Sequence, residues 1–230
     1  MNITDVLPDG ILLVDKPAGM TSFGVVARVR RQLGDHLAAT TAAGQGTGKR
    51  PKVKVGHTGT LDPFATGLMI LVVGKECRNA GTFSKLDKVY EATFRLGQTS
   101  STGDPEGEIT TVSDAEPTLE AVQLALGRFN GEIQQTPPAY SAIKINGQRA
   151  YKLARKGEVV EMPTRTVTIH TLSLLDYTYP EVTVRAHVSS GTYIRTLAED
   201  VGQVLGTGAY CSQLRRTRIA QYDVASAIKI

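Results

Sequence analysis

Asp62 has the setting in this sequence that is most suited to chemistry. It stands directly before Pro63, between the glycines Gly59 and Gly67, which favour a loop. Proline restricts the backbone of the residue before it, so the direction of the chain at Asp62 is largely determined. An apolar run at residues 68–73 predicts a buried strand that anchors this loop. Loops of this kind often carry catalytic side chains, although Asp-Pro is also a common simple turn and the pattern alone leaves both interpretations open.

Basic residues are concentrated in three stretches, although the formal net charge is only +4. The stretches contain Lys49, Arg50, Lys52 and Lys54; then Lys144, Arg149, Lys152, Arg155 and Lys156; and finally Arg215, Arg216 and Arg218. Each could be an ordinary solvated face. Three of them in a modestly charged chain favour contact with the phosphates of a nucleic acid.

Other classes of protein find little support in the sequence. The N-terminus lacks the basic segment of a secretory signal, and the longest apolar run is too short to cross a bilayer. The two cysteines, Cys77 and Cys211, do not cluster as zinc ligands do, so we predict no metal site and a reducing, cytoplasmic setting. The Gly-rich segment 38–52 is not a Walker A motif, because Ala43 stands where glycine is required and Arg50 where serine or threonine is required.

The elements that would hold these residues mix strands with helices. Periodicity predicts strands at 10–14, 68–73, 88–96, 165–177 and 181–189, the last two around Pro180. It predicts three helices. The first begins at Thr21 or Ser22 and has Val25, Val26, Val29 and Leu33 on one face. The second covers 118–129, with Leu119, Val122, Leu126 and Phe129 at helical spacing, and the third covers 192–205 and ends before Gly206. Regular βαβ alternation is missing, which indicates an α+β domain around a mixed or antiparallel sheet. Segment 38–52 lacks periodicity and predicts a mobile loop.

Several longer motifs occur in a definite order over nearly the whole chain. They are GILLVDKP (10–17), GMTS (19–22), HTGTLDP (57–63), ATGL (65–68), KVYEA (88–92), QTPPAYSA (135–142), GTYIRTL (191–197) and LRR (214–216). Together they resemble the TruB-type tRNA pseudouridine synthases. The resemblance implies a pseudouridine synthase-like catalytic domain that isomerises uridine at position 55 in the T loop of tRNA. It also implies the T-arm of tRNA as partner, no cofactor, no obligatory protein partner and a monomer.

The resemblance also implies site residues. Asp62 matches the catalytic nucleophile, which attacks either the sugar or the base, and Arg195 matches the arginine that pairs with it. Tyr90 matches the tyrosine that stacks on the flipped base, and His57 matches the residue that takes the place of the flipped nucleotide. Tyr193 and Leu214 match positions that line the uracil pocket, and Leu214 could equally be core packing.

Two departures from the family pattern concern the domain organisation. The segment 35–54 is longer than the family suggests, and we interpret it as a flexible basic insertion. Residues 1–230 are expected to form the catalytic domain, without the C-terminal PUA-type RNA-binding domain that family members usually carry.

Three alternatives are disfavoured: a non-catalytic RNA-binding protein, because Asp62, Tyr90 and Arg195 are intact; a glycoside hydrolase, because a second carboxylate is missing; and a zinc deaminase, because its motifs are missing.

Overall fold

The computed structural model describes residues 9–42, 51–145 and 147–230. The helices are α1 (Ser22–Ala42), α2 (Ala80–Ser84), α3 (Leu119–Gly127), α4 (Ala150–Ala154) and α5 (Ile194–Leu205). The strands are β1 (Gly10–Lys16), β2 (Val55–His57), β3 (Thr66–Val73), β4 (Lys88–Leu96), β5 (Gln98–Ser100), β6 (Ile109–Thr111), β7 (Gly131–Gln135), β8 (Lys144–Ile145), β9 (Gln148–Arg149), β10 (Arg165–Thr178), β11 (Glu181–Val188), β12 (Ala209–Ile219), β13 (Tyr222–Asp223) and β14 (Ile228–Lys229). None of the helices in these ranges has the length and apolarity to cross a membrane.

The chain divides into two compact units. The first comprises the described residues up to Leu86 together with Arg216–Ile230, and the second comprises Asp87–Arg215. The division falls within β12, so this one strand contributes to both units. Each unit has helices against largely antiparallel strands, which confirms the predicted α+β class.

The first unit is built around β3, whose residues from Gly67 onwards are buried. β3 pairs antiparallel with β1 and with β2, and β1 pairs parallel with β14. Leu68, Ile70 and Ile219 form a buried apolar cluster beside this sheet. The helix α1 buries the predicted face of Val25, Val26, Val29 and Leu33. Its first turn is capped by the Thr21 hydroxyl, which accepts a hydrogen bond from the Gly24 amide at 3.0 Å.

The second unit contains the strand order β12-β4-β11-β10-β7. β4 pairs antiparallel with β11, β11 with β10, and β10 with β7. The helix α3 contacts α5 and β10, and α5 also contacts β4. The predicted strands at 88–96, 165–177 and 181–189 are therefore confirmed, and Pro180 lies in the turn between the last two.

Two details of the sequence-based prediction were wrong. Residues 38–42 continue α1 instead of forming a loop, because three of the five are alanine, a strong helix former. The rest of the expected insertion includes residues 43–50, which lie outside the described residues. Leu119 is 51% exposed, because α3 begins at this residue and buries Val122, Ala125 and Leu126 instead.

The helix α5 ends as the sequence predicted. Gly206 adopts a left-handed φ of 70° at its C-terminus, and its amide bonds the carbonyls of the last turn. Gly202, inside the helix, lies directly against the backbone of Gly208 and Ala209. This close approach allows the chain to turn from α5 straight into β12.

We expect Gly202→Ala to lower the free energy of unfolding by about 2 kcal/mol, because the added methyl group would collide with the backbone of Ala209. Gly127→Ala is the matched control, since a methyl group there meets open space at the end of α3 and should stabilise the helix by up to about 1 kcal/mol. Urea unfolding of both variants measures the difference. Equal midpoints would contradict the proposed packing constraint.

Candidate active site

Asp62 lies in a loop of the first unit between β2 and β3, and the backbone on both sides of it is held. The Ser22 hydroxyl donates to the Leu61 carbonyl at 2.9 Å and accepts from the Leu61 amide at 2.8 Å. On the other side, the Gly19 amide donates to the Pro63 carbonyl at 2.8 Å. Asp62 itself is half-buried. The loop therefore presents the carboxylate of Asp62 from a backbone with little freedom.

Two buried cations donate to the carbonyls around this loop. Lys16 is fully buried at the end of β1, and its ammonium donates to the carbonyls of Met20 at 2.6 Å, Pro17 at 2.9 Å and Pro63 at 3.1 Å. A loop outside regular secondary structure leaves carbonyls that need partners when they are buried. Lys16 provides such partners on the side of the loop that contains Pro63.

Arg216 holds the other side of the same loop. Its guanidinium is 1% exposed and donates to the carbonyls of Leu68 at 2.7 Å, Gly59 at 3.3 Å and Thr60 at 3.5 Å. Gly67, with a φ of 107°, has no room for a side chain, because a methyl group there would collide with the Arg216 backbone. The expectation that Arg216 forms part of a phosphate-binding surface is therefore wrong.

His57 lies at the end of β2, opposite Leu71 of β3, and is half-buried. It belongs to the same unit as Asp62, five positions before it. The sequence did not predict that the side chains of Lys16, Ser22 and Arg216 hold this loop. All three nevertheless fall within the motifs that carry the resemblance, so this signal could have identified them.

Arg195 is the central charge of the second unit. It lies in the first turn of α5 with a side chain that is 3% exposed, and it donates to an Asp104 carboxylate oxygen at 3.0 Å. It also donates to the carbonyls of Thr102 at 2.7 Å and Tyr140 at 2.9 Å. Arg195 is therefore a buried charge and not part of a solvent-facing surface of α5. The pairing of Arg195 with Asp62, which belong to different units, remains a prediction.

Asp104 was missed by the sequence analysis, and it is as buried as Arg195. Its second carboxylate oxygen accepts from the Thr102 hydroxyl at 2.6 Å and from the Glu106 amide at 3.0 Å. A buried ion pair is tolerable only when its remaining donors and acceptors also find partners. The surrounding groups provide such partners for both carboxylate oxygens and for the two terminal nitrogens of the guanidinium, which gives the Arg195 side chain a defined orientation.

The other residues expected at the site also lie in the second unit. Tyr193 immediately precedes α5, and the buried Gln135 amide bonds both its backbone NH, at 2.7 Å, and its carbonyl, at 3.0 Å. The guanidinium of Arg165 lies 5.0 Å from the centre of the Tyr193 ring, a cation–π contact. Tyr90 and Leu214 are each 8% exposed, on β4 and β12. Their roles as pocket residues remain predictions.

Burial raises the pKa of two carboxyl groups on α5, close to Arg195. For Glu199, burial is the largest cause of the raised pKa, followed by the charge of Asp200, while Arg195 acts in the opposite direction. Burial also raises the pKa of Asp200. The folded chain therefore holds these protons more tightly than the unfolded chain, so their contribution to stability is present at low pH and is lost as the pH rises through the raised pKa.

We expect Glu199→Gln to raise stability at neutral pH, because the amide keeps the shape of the side chain without a half-buried charge. The variant should also show a shallower loss of stability as the pH rises above 4.5, the ordinary pKa of this carboxyl. Thermal unfolding between pH 4 and 8 measures this, with the exposed Glu161→Gln as control. A variant less stable than the parent at pH 7 would show that the charge has a favourable partner.

We expect Arg216→Met to lower the free energy of unfolding by about 3 kcal/mol, because the variant loses the charge-assisted hydrogen bonds of a buried guanidinium. Arg218→Met is the control two positions along the same strand. Its guanidinium is 56% exposed and lies 3.7 Å from Asp223, so its loss should cost less than about 1 kcal/mol. Urea unfolding compares the two. Similar small losses would show that Arg216 does not hold the loop.

The sequence of this chain matches two family models. The TruB family pseudouridylate synthase N-terminal domain matches residues 48–194. The tRNA pseudouridylate synthase B C-terminal domain matches residues 195–230. The boundary between the two matches falls immediately before Arg195.

Proteins of similar sequence have names that agree with these two family models. The tRNA pseudouridine synthase B of Burkholderia lata is 45% identical over 224 residues, which cover 97% of this chain and 64% of that protein. The protein of the same name from Thermobifida fusca is 45% identical over 230 residues, which cover 96% of this chain and 73% of that protein. The chain thus spans less than two thirds of the Burkholderia protein.

A similar solved structure comes from a Cbf5-Nop10-Gar1 complex. The likeness covers 100% of this chain and 55% of that chain, with a TM-score of 0.71 and 26% sequence identity. Fold, motifs and sequence similarity thus agree, and this chain belongs to the TruB family of pseudouridylate synthases.

Proposed function

We propose that this chain isomerises uridine to pseudouridine at position 55 in the T loop of tRNA, with Asp62 as the nucleophile. The observation that carries the proposal is the loop of Asp62, which is hydrogen-bonded on both sides of that residue through Leu61 and Pro63. A catalytic group must keep its position relative to the substrate to within a fraction of an ångström. This loop has the rigidity that such positioning requires.

The reaction needs little more than a positioned carboxylate. The bond between the sugar and N1 of the base breaks, the base turns, and a new bond joins the sugar to C5. C5 loses a proton and N1 gains one, so the atoms balance without a redox carrier or an added group. Asp62 bonds covalently to the sugar or to the base during this rearrangement and is released at its end.

The target base must leave its stack to reach the carboxylate, which costs a few kcal/mol. We assign Tyr90 to stack on the flipped base and Tyr193 and Leu214 to line its pocket. Tyr90 and Leu214 come from buried positions of strands, and Gln135 holds the backbone from which the Tyr193 side chain extends. We assign His57 to the space that the flipped nucleotide leaves, where a planar ring can stack in its place.

We assign Arg195 the role of ionic partner of Asp62. An arginine stays charged when it is buried and can hold a carboxylate through two hydrogen bonds. A neighbouring cation also disfavours protonation of an aspartate in a dry pocket, and a protonated aspartate is a poor nucleophile. The contacts of Arg195 with Asp104 and two carbonyls orient its guanidinium, which supports a positioning role for this side chain.

The tRNA backbone would meet exposed basic residues. Of the second basic stretch, Lys144, Arg149, Lys152, Arg155 and Lys156 are exposed. In the first unit, Lys52 and Lys54 are exposed and line a cleft of about 810 Å³ together with Arg30 and Arg31. Exposed cations of this kind neutralise phosphates, so we expect tRNA binding to weaken steeply as salt is added. A tRNA substrate also implies a cytoplasmic enzyme.

Asp62→Asn tests the proposal directly. The substitution keeps the size of the side chain and removes its nucleophilic charge, so pseudouridine formation should fall by at least about a thousandfold. The assay is incubation with unmodified tRNA followed by mapping of pseudouridine by position. Asp114→Asn, at an exposed aspartate of the second unit, serves as control and should retain full activity.

Urea unfolding and tRNA binding of Asp62→Asn should match those of the parent, because the substitution keeps the size of the side chain and leaves the bonds at Leu61 and Pro63 in place. Turnover within about tenfold of the parent would refute the role of Asp62. Binding of tRNA without any pseudouridine from the parent chain would favour the alternative of a non-catalytic RNA-binding protein. Modification at another position would refute the assignment to the T loop.

A further inference from the structure

Three side chains of the second unit converge although they are distant in sequence. Asp87 immediately precedes β4, His170 lies on β10 and His187 lies on β11. Each offers one ligand atom, and the three atoms lie within 4.8 Å of one another. One Asp87 carboxylate oxygen is 3.0 Å from Nε2 of His170, and the two imidazole rings are 4.6 Å apart between centres.

The register of the strands explains why two of these side chains share a face. His187 stands opposite Val89 in the β11–β4 pair. Side chains alternate along a strand, so Asp87, two positions before Val89, points to the same face as His187. The backbone therefore places this carboxylate diagonally across from the imidazole, within reach of a common ion.

A β-bulge brings the third side chain to the same face. Ile169 pairs with Val188 and Thr171 pairs with His187, so His170 is an extra residue on β10. In a regular strand, His170 would point away from the face that Thr171 shares with His187. A bulge re-aims the extra side chain, and such bulges occur preferentially next to functional sites.

We propose that Asp87, His170 and His187 bind a first-row divalent transition ion, such as Zn²⁺. Two imidazoles and one carboxylate form a ligand set that this ion accepts, and the fourth position is left for water. Ligand atoms around a tetrahedral zinc ion lie roughly 3.3 Å apart at ordinary bond lengths, so small side-chain movements close the present arrangement. The nearby cation Arg185 is paired with Glu91 at 2.8 Å, which reduces its repulsion of the ion.

The site would connect the three neighbouring strands β4, β11 and β10. We assign it a structural role, because the proposed isomerisation has no step that requires a metal. This proposal departs from the sequence-based prediction of no metal site, because the three ligands are 83 and 17 positions apart along the chain and form no motif. A metal that binds the folded chain more tightly than the unfolded chain stabilises it, so Zn²⁺ should raise the melting temperature.

Titration of the chelator-treated protein with Zn²⁺, in competition with a metal-binding dye, tests the proposal. We expect one ion per chain, and we expect His187→Gln and Asp87→Asn each to weaken its binding at least about tenfold. His36→Gln is the matched control, because His36 is an exposed histidine of α1 outside the cluster and its loss should leave binding unchanged. Substitution by Co²⁺ should give a visible absorption band in the parent and in His36→Gln but not in His187→Gln.

Thermal unfolding provides a second readout that does not depend on catalysis. The melting temperature of the parent should rise with Zn²⁺ and fall again with excess chelator, whereas that of His187→Gln should not respond. Urea unfolding without metal shows that the variants are folded. The proposal is refuted if the parent binds no ion at a ratio of one per chain, or if His187→Gln and Asp87→Asn bind it as tightly as the parent does.

Discussion

The loop of Asp62 depends on one physical constraint, the need of backbone carbonyls for hydrogen-bond donors where the chain leaves helices and strands. This loop lies outside helices and strands, so its own backbone cannot satisfy Gly59, Thr60 and Pro63. Lys16 and Arg216 supply the donors from regular strands on either side of it. Burying an ammonium and a guanidinium is costly, and the multiple hydrogen bonds of each offset this cost.

In the second unit, backbone groups outside helices and strands are held by a neutral side chain and by an ion pair. Gln135, at the end of β7, bonds the backbone of Tyr193 in both directions and thereby defines where α5 begins. Arg195 and Asp104 then neutralise each other below the surface, and each also bonds backbone groups, Arg195 the carbonyls of Thr102 and Tyr140 and Asp104 the amide of Glu106. In both units, the proposed catalytic residues are held by neighbours that have no part in the proposed reaction. We therefore expect substitutions of these neighbours to affect stability before they affect the reaction.

The sheet of the second unit separates two environments. The face of β4 that carries Tyr90, Ala92 and Phe94 is buried, in keeping with a core and a dry pocket. The opposite face carries cross-strand polar pairs, such as Arg185 with Glu91 and Thr93 with Thr183. The cluster of Asp87, His170 and His187 continues this polar face. One strand thus serves both the proposed base pocket and the proposed metal site through the two-residue period of its side chains.

The sequence by itself determined the class of fold, the family, and the position of most elements. The alternation of β4, the apolar stripe of α1 and the Gly206 stop of α5 are local patterns that the backbone period converts directly into structure. The ordered motifs likewise identified Asp62 and Arg195 as the residues of interest.

Only the tertiary structure decided which charges are buried: Arg216 was expected at the surface, and Asp104 was not noticed. A charged side chain looks the same in sequence whether it faces water or a carbonyl, because its burial depends on the pairing of residues that are far apart along the chain. The bulge at His170 is of the same kind, since it exists only in the register of two strands and leaves no mark in either strand alone.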